Sequence, residues 1–268
     1  MFGKLIKNEF VNRSKSMIAL FAGLLIGSVV VFLMNILADS IDSNFINILS
    51  GVTVFVFIIG FFVSGACIFI LPLDDFRKRF FKDQGYLTHT LPVKTSHLLL
   101  ARTFCDITMV VGMAIVFPLA ICIASGEPDF FKAFIDFFER ILSYVGINVS
   151  FTLTILLLLV TYLSSYLFVV WCFNFSYTFG HCLFKHGKRL MSVVCFLGLS
   201  IVSNVLTSYL AQAMDKTDLF TKIYKATGDK LIASTNIVLL ITSAYMILCT
   251  GILIALTNRI FKKHLNLE

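Results

Sequence analysis

The sequence predicts an all-α fold: a polytopic membrane protein with six transmembrane helices, an N-terminal interfacial helix and both termini cytoplasmic. Three observations carry this expectation. Of 268 residues, 58% are hydrophobic and only 14% are charged, against about a quarter charged in a soluble domain. Twenty-nine are Phe. Burying so much apolar surface in water would need an implausibly large core, so lipid is the simpler solvent. The charged residues also fall in short clusters that mark off long charge-free runs.

The chain opens on an amphipathic stretch. Phe2, Leu5, Ile6 and Phe10 share a helical face, with Lys4 and Lys7 opposite. This reads as an interfacial helix feeding the first span. Glu9 falls in the middle of the apolar face and Arg13 lies four residues on. One reading is an i, i+4 pair on the helix surface, worth a few tenths of a kcal/mol. The other is a membrane-surface carboxylate that meets a basic group on another subunit. Residues 16–38 follow without Lys, Arg, Asp or Glu. At about 1.5 Å per residue they reach roughly 35 Å, enough to cross a hydrocarbon core of about 30 Å. The run is too long for the apolar region of a cleaved signal peptide and has no small-residue cleavage site before Asp39, so it reads as the first span.

The remaining spans are placed at about 47–73, 107–126, 144–180, 190–214 and 231–258, within one domain over 1–268. The fourth is the difficult one, because residues 141–184 carry no charge and could hold two spans. Loop charges decide. With six spans and the N-terminus inside, sixteen of the 22 basic residues fall on the inner side. Seven spans would put Lys185, Lys188, Arg189 and the C-terminus outside, against the positive-inside bias. The outer loop FFKAFIDFFER, residues 130–140, spaces Phe130, Phe134 and Phe138 at i, i+4, i+8, as a short helix at the outer interface would.

Several function classes are excluded. A net charge of +7 could point to nucleic acid, but the basic residues form no contiguous face. The seven Cys include no C-x-x-C pair and mostly lie inside apolar runs, as packing residues. His89, His97, His181, His186 and His264 form no ligand set, and no metal site is expected. No H-E-x-x-H, no paired Glu and no central ionisable residue lies in any span, against an intramembrane enzyme or an ion-coupled transporter. No G-x-x-x-x-G-K-[ST] loop is present, so the chain is not expected to hydrolyse ATP or to bind a cofactor.

Softer polarity remains. Ser200, Ser203, Asn204 and Thr207 share one face of the fifth span. Asn236, Ser243, Thr250 and Thr257 recur every seven residues on the sixth, and Gly23 and Gly27 form G-x-x-x-G on the first. Such residues let helices approach and hydrogen-bond. The lesser alternative is that they line a mildly polar path for an amphipathic substrate.

The loop over 74–106 carries the chemistry that the spans lack. Its segment FFKDQGYLTHTLPV follows the basic cluster Arg77-Lys78-Arg79. Gly85 permits a sharp reversal. Leu91-Pro92 stops one helix and starts another, since Pro is tolerated in a first turn. Tyr86, Leu87 and Leu91 offer apolar anchors rimmed by Lys82 and Asp83.

The order Gly85, Tyr86, Leu87, Thr88, then Thr90, Leu91, Pro92 and Val93, followed by Lys94 and Leu98-Leu99-Leu100, resembles the cytoplasmic loop of a bacterial family. These are the ABC transporter permeases of the second exporter class, which include lantibiotic-immunity and multidrug permeases. His89 departs from the apolar or hydroxyl residue that the family often has there. The resemblance implies a permease subunit in the bacterial cytoplasmic membrane, paired with a second, identical or related permease. It implies two separate ATPase subunits that carry ATP and Mg²⁺ and dock on Asp83, Gly85, Tyr86, Leu87, Thr90, Leu91, Pro92 and Val93. It also implies expulsion of an amphipathic substrate, such as an antimicrobial peptide or a drug. The other reading is a membrane sensor or assembly platform that transports nothing.

Overall fold

In the computed structural model the described residues are 2–41, 43–81, 95–126, 132, 136, 149–184, 186–216 and 229–264. Among them the chain forms six helices: α1 (Phe2–Ser40), α2 (Asn44–Phe81), α3 (Thr95–Ser125), α4 (Val149–Leu183), α5 (Lys188–Lys216) and α6 (Asp229–His264). Each contains a stretch long and apolar enough to cross a membrane. Helix is what a bilayer demands of such sequences, because a backbone in lipid must satisfy its own N–H and C=O groups. Many large apolar side chains face outward, including Phe45, Phe62, Leu190 and Ile201. In water this surface would aggregate; in lipid it is solvated.

Two elements differ from the sequence expectation. The amphipathic N-terminal stretch is not a separate elbow. It continues unbroken into the first span, so α1 has 39 residues and is about 58 Å long. Both ends of the segment 74–106 are also helical, since α2 runs on to Phe81 and α3 begins at Thr95. The described part of the long charge-free run near the fourth span forms one helix, α4, of 35 residues. Two left-handed glycines mark turns: Gly126 (φ 64°) follows α3, and Gly187 (φ 68°) lies between α4 and α5. A side chain there would be strained.

The chain packs as two compact units whose boundaries run through helices rather than linkers. One comprises residues 1–72 and 100–142, the other 73–99 and 143–268. In the first unit α1 and α3 run parallel, because their contacts advance together. Arg13 meets Asp106, Phe21 lies against Gly112, and Phe32 lies against Gly126. A Cβ on Gly112 would come within 2.7 Å of the Phe21 ring, so the glycine makes room for it.

The second unit is built around α4, which packs on α5 and α6. Its core joins Phe76 and Phe80 of α2, Leu98 and Leu99 of α3, Trp171, Cys172 and Phe175 of α4, and Leu253 and Phe261 of α6. Phe80 stacks on Phe261 with centroids 5.0 Å apart, and Phe76 meets Trp171 edge-on at 6.5 Å. Phe173 of α4 stacks on Phe196 of α5 at 4.1 Å. Gly180 brings the start of α5 close: a Cβ there would lie 2.7 Å from both the Lys188 carbonyl oxygen and the Ser192 nitrogen. Those atoms are backbone and cannot swing away. We therefore expect Gly180→Ala to destabilise the protein by about 1–3 kcal/mol through overpacking. Gly23→Ala, which meets nothing within 4 Å, should be neutral or slightly stabilising through helix propensity. Thermal unfolding of the two variants in detergent checks the contrast.

Candidate functional site, a buried charge cluster

Four charged side chains of the first unit are withdrawn from solvent and lipid. Glu9 is 7% exposed, Arg13 3%, Arg102 1% and Asp106 0%. Each helix supplies one opposite-charge pair at i, i+4 spacing: Glu9 and Arg13 on α1, Arg102 and Asp106 on α3. That spacing puts the members of each pair on one helical face. The two faces are joined by an ion pair between Arg13 Nη1 and Asp106 Oδ1. Arg102 Nη2 donates to the carbonyl oxygen of Pro72, the residue inside α2 that has no N–H for the helix ladder. The cluster thus ties α1, α2 and α3 together with a formal charge of zero.

Zero sum is what makes the arrangement tenable. A lone charge withdrawn from water costs several kcal/mol even after relaxation. Arg suits the position, because its planar fork serves several acceptors at once and stays charged. The cluster holds no nucleophile and no group of metal-ligand type beyond two carboxylates. Its chemistry is that of a lock whose halves come from segments 93 residues apart.

The buried face at the start of α1 also differs from the expected one. Phe10 is 39% exposed, whereas Glu9, Arg13 and Met17 are buried at i, i+4, i+8. The surface reading of Arg13 gives way to an internal ion pair with α3. Neither Arg102 nor Asp106 was a candidate from sequence. A charge-free run starting at residue 107 places both just outside a span, in a loop. Their i, i+4 spacing opposite a second such pair was the available signal.

The other candidates fall into four groups. Asp83, Gly85, Tyr86, Leu87, Thr90, Leu91, Pro92 and Val93 lie outside the described residues. On α6, Asn236, Ser243, Thr250 and Thr257 are all buried. Thr154 of α4 donates to Asn236 Oδ1 at 2.6 Å, while Ser243, Thr250 and Thr257 donate to carbonyls of their own helix. This stripe is the seam between α4 and α6. On α5, Ser200 and Ser203 are half-buried, and Asn204 and Thr207 are exposed. The hydroxyls of Ser200 and Thr207 return to Phe196 and Ser203 carbonyls. The α6 stripe is buried throughout, whereas the α5 stripe passes from half-buried at Ser200 and Ser203 to exposed at Asn204 and Thr207. The G-x-x-x-G pair makes no close helix crossing. Gly27 faces the Phe57 ring, and Gly23 faces open space.

A buried charge stripped of its partner typically costs about 3–5 kcal/mol. We expect Asp106→Asn to lower stability by that amount, read as a drop in melting temperature in detergent. Lys78→Ala, which removes an exposed i, i+4 bridge to Asp74, should leave the melting temperature unchanged.

Comparison of the chain with protein-family models, with characterised proteins and with solved structures gives no match.

Proposed function

We propose that this chain is the membrane-spanning permease subunit of an ATP-driven exporter in the bacterial cytoplasmic membrane. Both termini face the cytoplasm, as the excess of Lys and Arg on that side requires under the positive-inside bias. Separate ATPase subunits, two per transporter, grip the segment from Asp83 to Val93. A second permease subunit completes the complex. The substrate is amphipathic, in the class of membrane-active peptides and drugs.

One observation supports this reading above the others. The two helix ends that flank residues 82–94 are fastened into a single aromatic core. Phe76 and Phe80 enter it from α2, and Leu98 and Leu99 from α3, against Trp171 and Phe261. A loop on such stems passes a push from a docked partner directly into α4 and α6. A loop on loose stems would absorb it. In the sequence between these stems, Tyr86 is the aromatic side chain we assign as the partner's anchor, with Leu87 and Leu91 as apolar neighbours.

The test is co-purification. A tagged chain extracted from its native membrane should bring down a soluble P-loop ATPase. Tyr86→Ala combined with Leu87→Ala should weaken that association at least about tenfold, as loss of central anchors does. It should leave the unfolding temperature of the permease unchanged. Full retention of the ATPase by the double variant, with transport intact, would remove the docking assignment. A chain that never carries an ATPase would favour the sensor or assembly platform.

A further inference from the structure

At one end of the second unit, α2, α4 and α5 meet around three rings. Phe81, the last residue of α2, stands edge-on to Tyr177 at 5.2 Å and tilted against His181 at 5.4 Å. Tyr177 and His181, one turn apart on α4, stack at 3.9 Å. The His181 Nδ1 lies 3.1 Å from the Tyr177 carbonyl oxygen, so its N–H donates there and Nε2 is left for another partner. The close approach at Gly180, the residue before His181, brings the first turn of α5 alongside.

Cations gather on these rings from two helices. Arg77, one turn before Phe81 on α2, and Arg189, in the first turn of α5, both act electrostatically on Tyr177 and on His181. Lys188 acts on His181 as well. The principal charges acting on the pair are thus all positive. Among the described residues none of the three cations forms an ion pair, whereas Lys78, next to Arg77, is bridged to Asp74. Like charges brought together repel, and an anion among them relieves the repulsion. The Tyr177 hydroxyl adds an O–H donor at the same place.

The surroundings identify what carries the anion. The span on α4 ends at Leu183 and that on α5 begins at Lys188, so the cluster lies where the chain leaves the hydrocarbon. Leu190 is 66% exposed, and Val193, one turn beyond Arg189, is 57% exposed. In a bilayer both face acyl chains. A soluble anion has no use for that surface, and a lipid headed at Arg189 covers it. Basic pockets between helices at a membrane interface hold anionic headgroups in this way. We propose that Arg77, Lys188 and Arg189 bind the phosphate of an anionic phospholipid, in the leaflet where α4 ends and α5 begins, with its chains along α5. The inference requires a membrane-spanning chain but not a bound ATPase, so the permease reading can fail without it.

Native mass spectrometry of the full chain, released from nanodiscs of equal phosphatidylglycerol and phosphatidylcholine, reads the retained lipid directly. The wild-type chain should keep phosphatidylglycerol in preference. Arg77→Gln with Arg189→Gln should cut that preference at least about tenfold. Arg189→Gln alone, an exposed change, should account for about threefold. Lys4→Gln with Lys7→Gln, which removes the same charge from α1, should leave the preference intact. No ion pair is lost in any of these variants, so their unfolding temperatures should match wild type. An unchanged preference in the Arg77 and Arg189 variants would overturn the proposal. So would an equal loss in the Lys4 and Lys7 variant, which would mean that overall positive charge alone attracts the lipid. Displacement of phosphatidylglycerol by excess inorganic phosphate would overturn the lipid in favour of a soluble anion. Loss of a co-purifying protein from the arginine variants, with their lipid retained, would make the cluster a protein contact instead.

Discussion

A charge withdrawn from water needs an opposite charge beside it, and this requirement organises the first unit. Arg13 and Asp106 are each almost wholly buried, so removing either one leaves the buried cluster with a net charge. Their pairing sets the twelfth residue of α1 beside the twelfth residue of α3. From that point the two helices run parallel, and the Phe21–Gly112 and Phe32–Gly126 contacts follow. Arg102, held to the Pro72 carbonyl, adds α2 to the same knot. An apolar pair of similar volume would pack as well in lipid, but it would not specify register. Only a point contact with a defined partner does that.

The second unit solves a different problem. Lipid tails are as apolar as Leu, so burying apolar surface gives helices no reason to associate. What holds α4 against α6 is shape and hydroxyl chemistry. The stripe from Asn236 to Thr257 is buried, and the Thr154–Asn236 bond crosses the seam. Aromatic stacking then fills the end of the unit where α2 and α3 enter, around Trp171 and Phe261. Clearance at Gly180 lets α5 turn in tightly behind. The helix ends on either side of residues 82–94 are therefore anchored in the core of the unit.

Much of this was legible in the sequence, and the reasons are local. A charge-free run longer than a bilayer is a span whatever its neighbours do, so the number of helices followed from charge positions. The seven-residue repeat of Asn236, Ser243, Thr250 and Thr257 is a one-helix property, and its four members are buried together. The Arg13–Asp106 pair was not legible, because it joins residues 93 positions apart. Arg13 also has a nearer acid, Glu9, to explain it away. Bounding a span by its nearest charge moved Arg102 and Asp106 into a loop, when a charge with a partner can sit inside a helix bundle. G-x-x-x-G permits a close crossing, but whether a helix uses it is decided by the rest of the fold, and among the described residues no atom stands within 4 Å of a Cβ at Gly23.

The central claim is that Arg13 and Asp106 stabilise the protein as a pair and not as two independent residues. A double-mutant cycle with Arg13→Met and Asp106→Leu, followed by reversible unfolding in mixed micelles, measures this directly. Each single variant should lose about 3–5 kcal/mol, because the buried cluster is left with a net charge, whereas the double variant keeps it neutral. The double variant should recover most of that loss and unfold close to wild type. Losses that simply add would contradict the account, since they would mean that the two charges act separately.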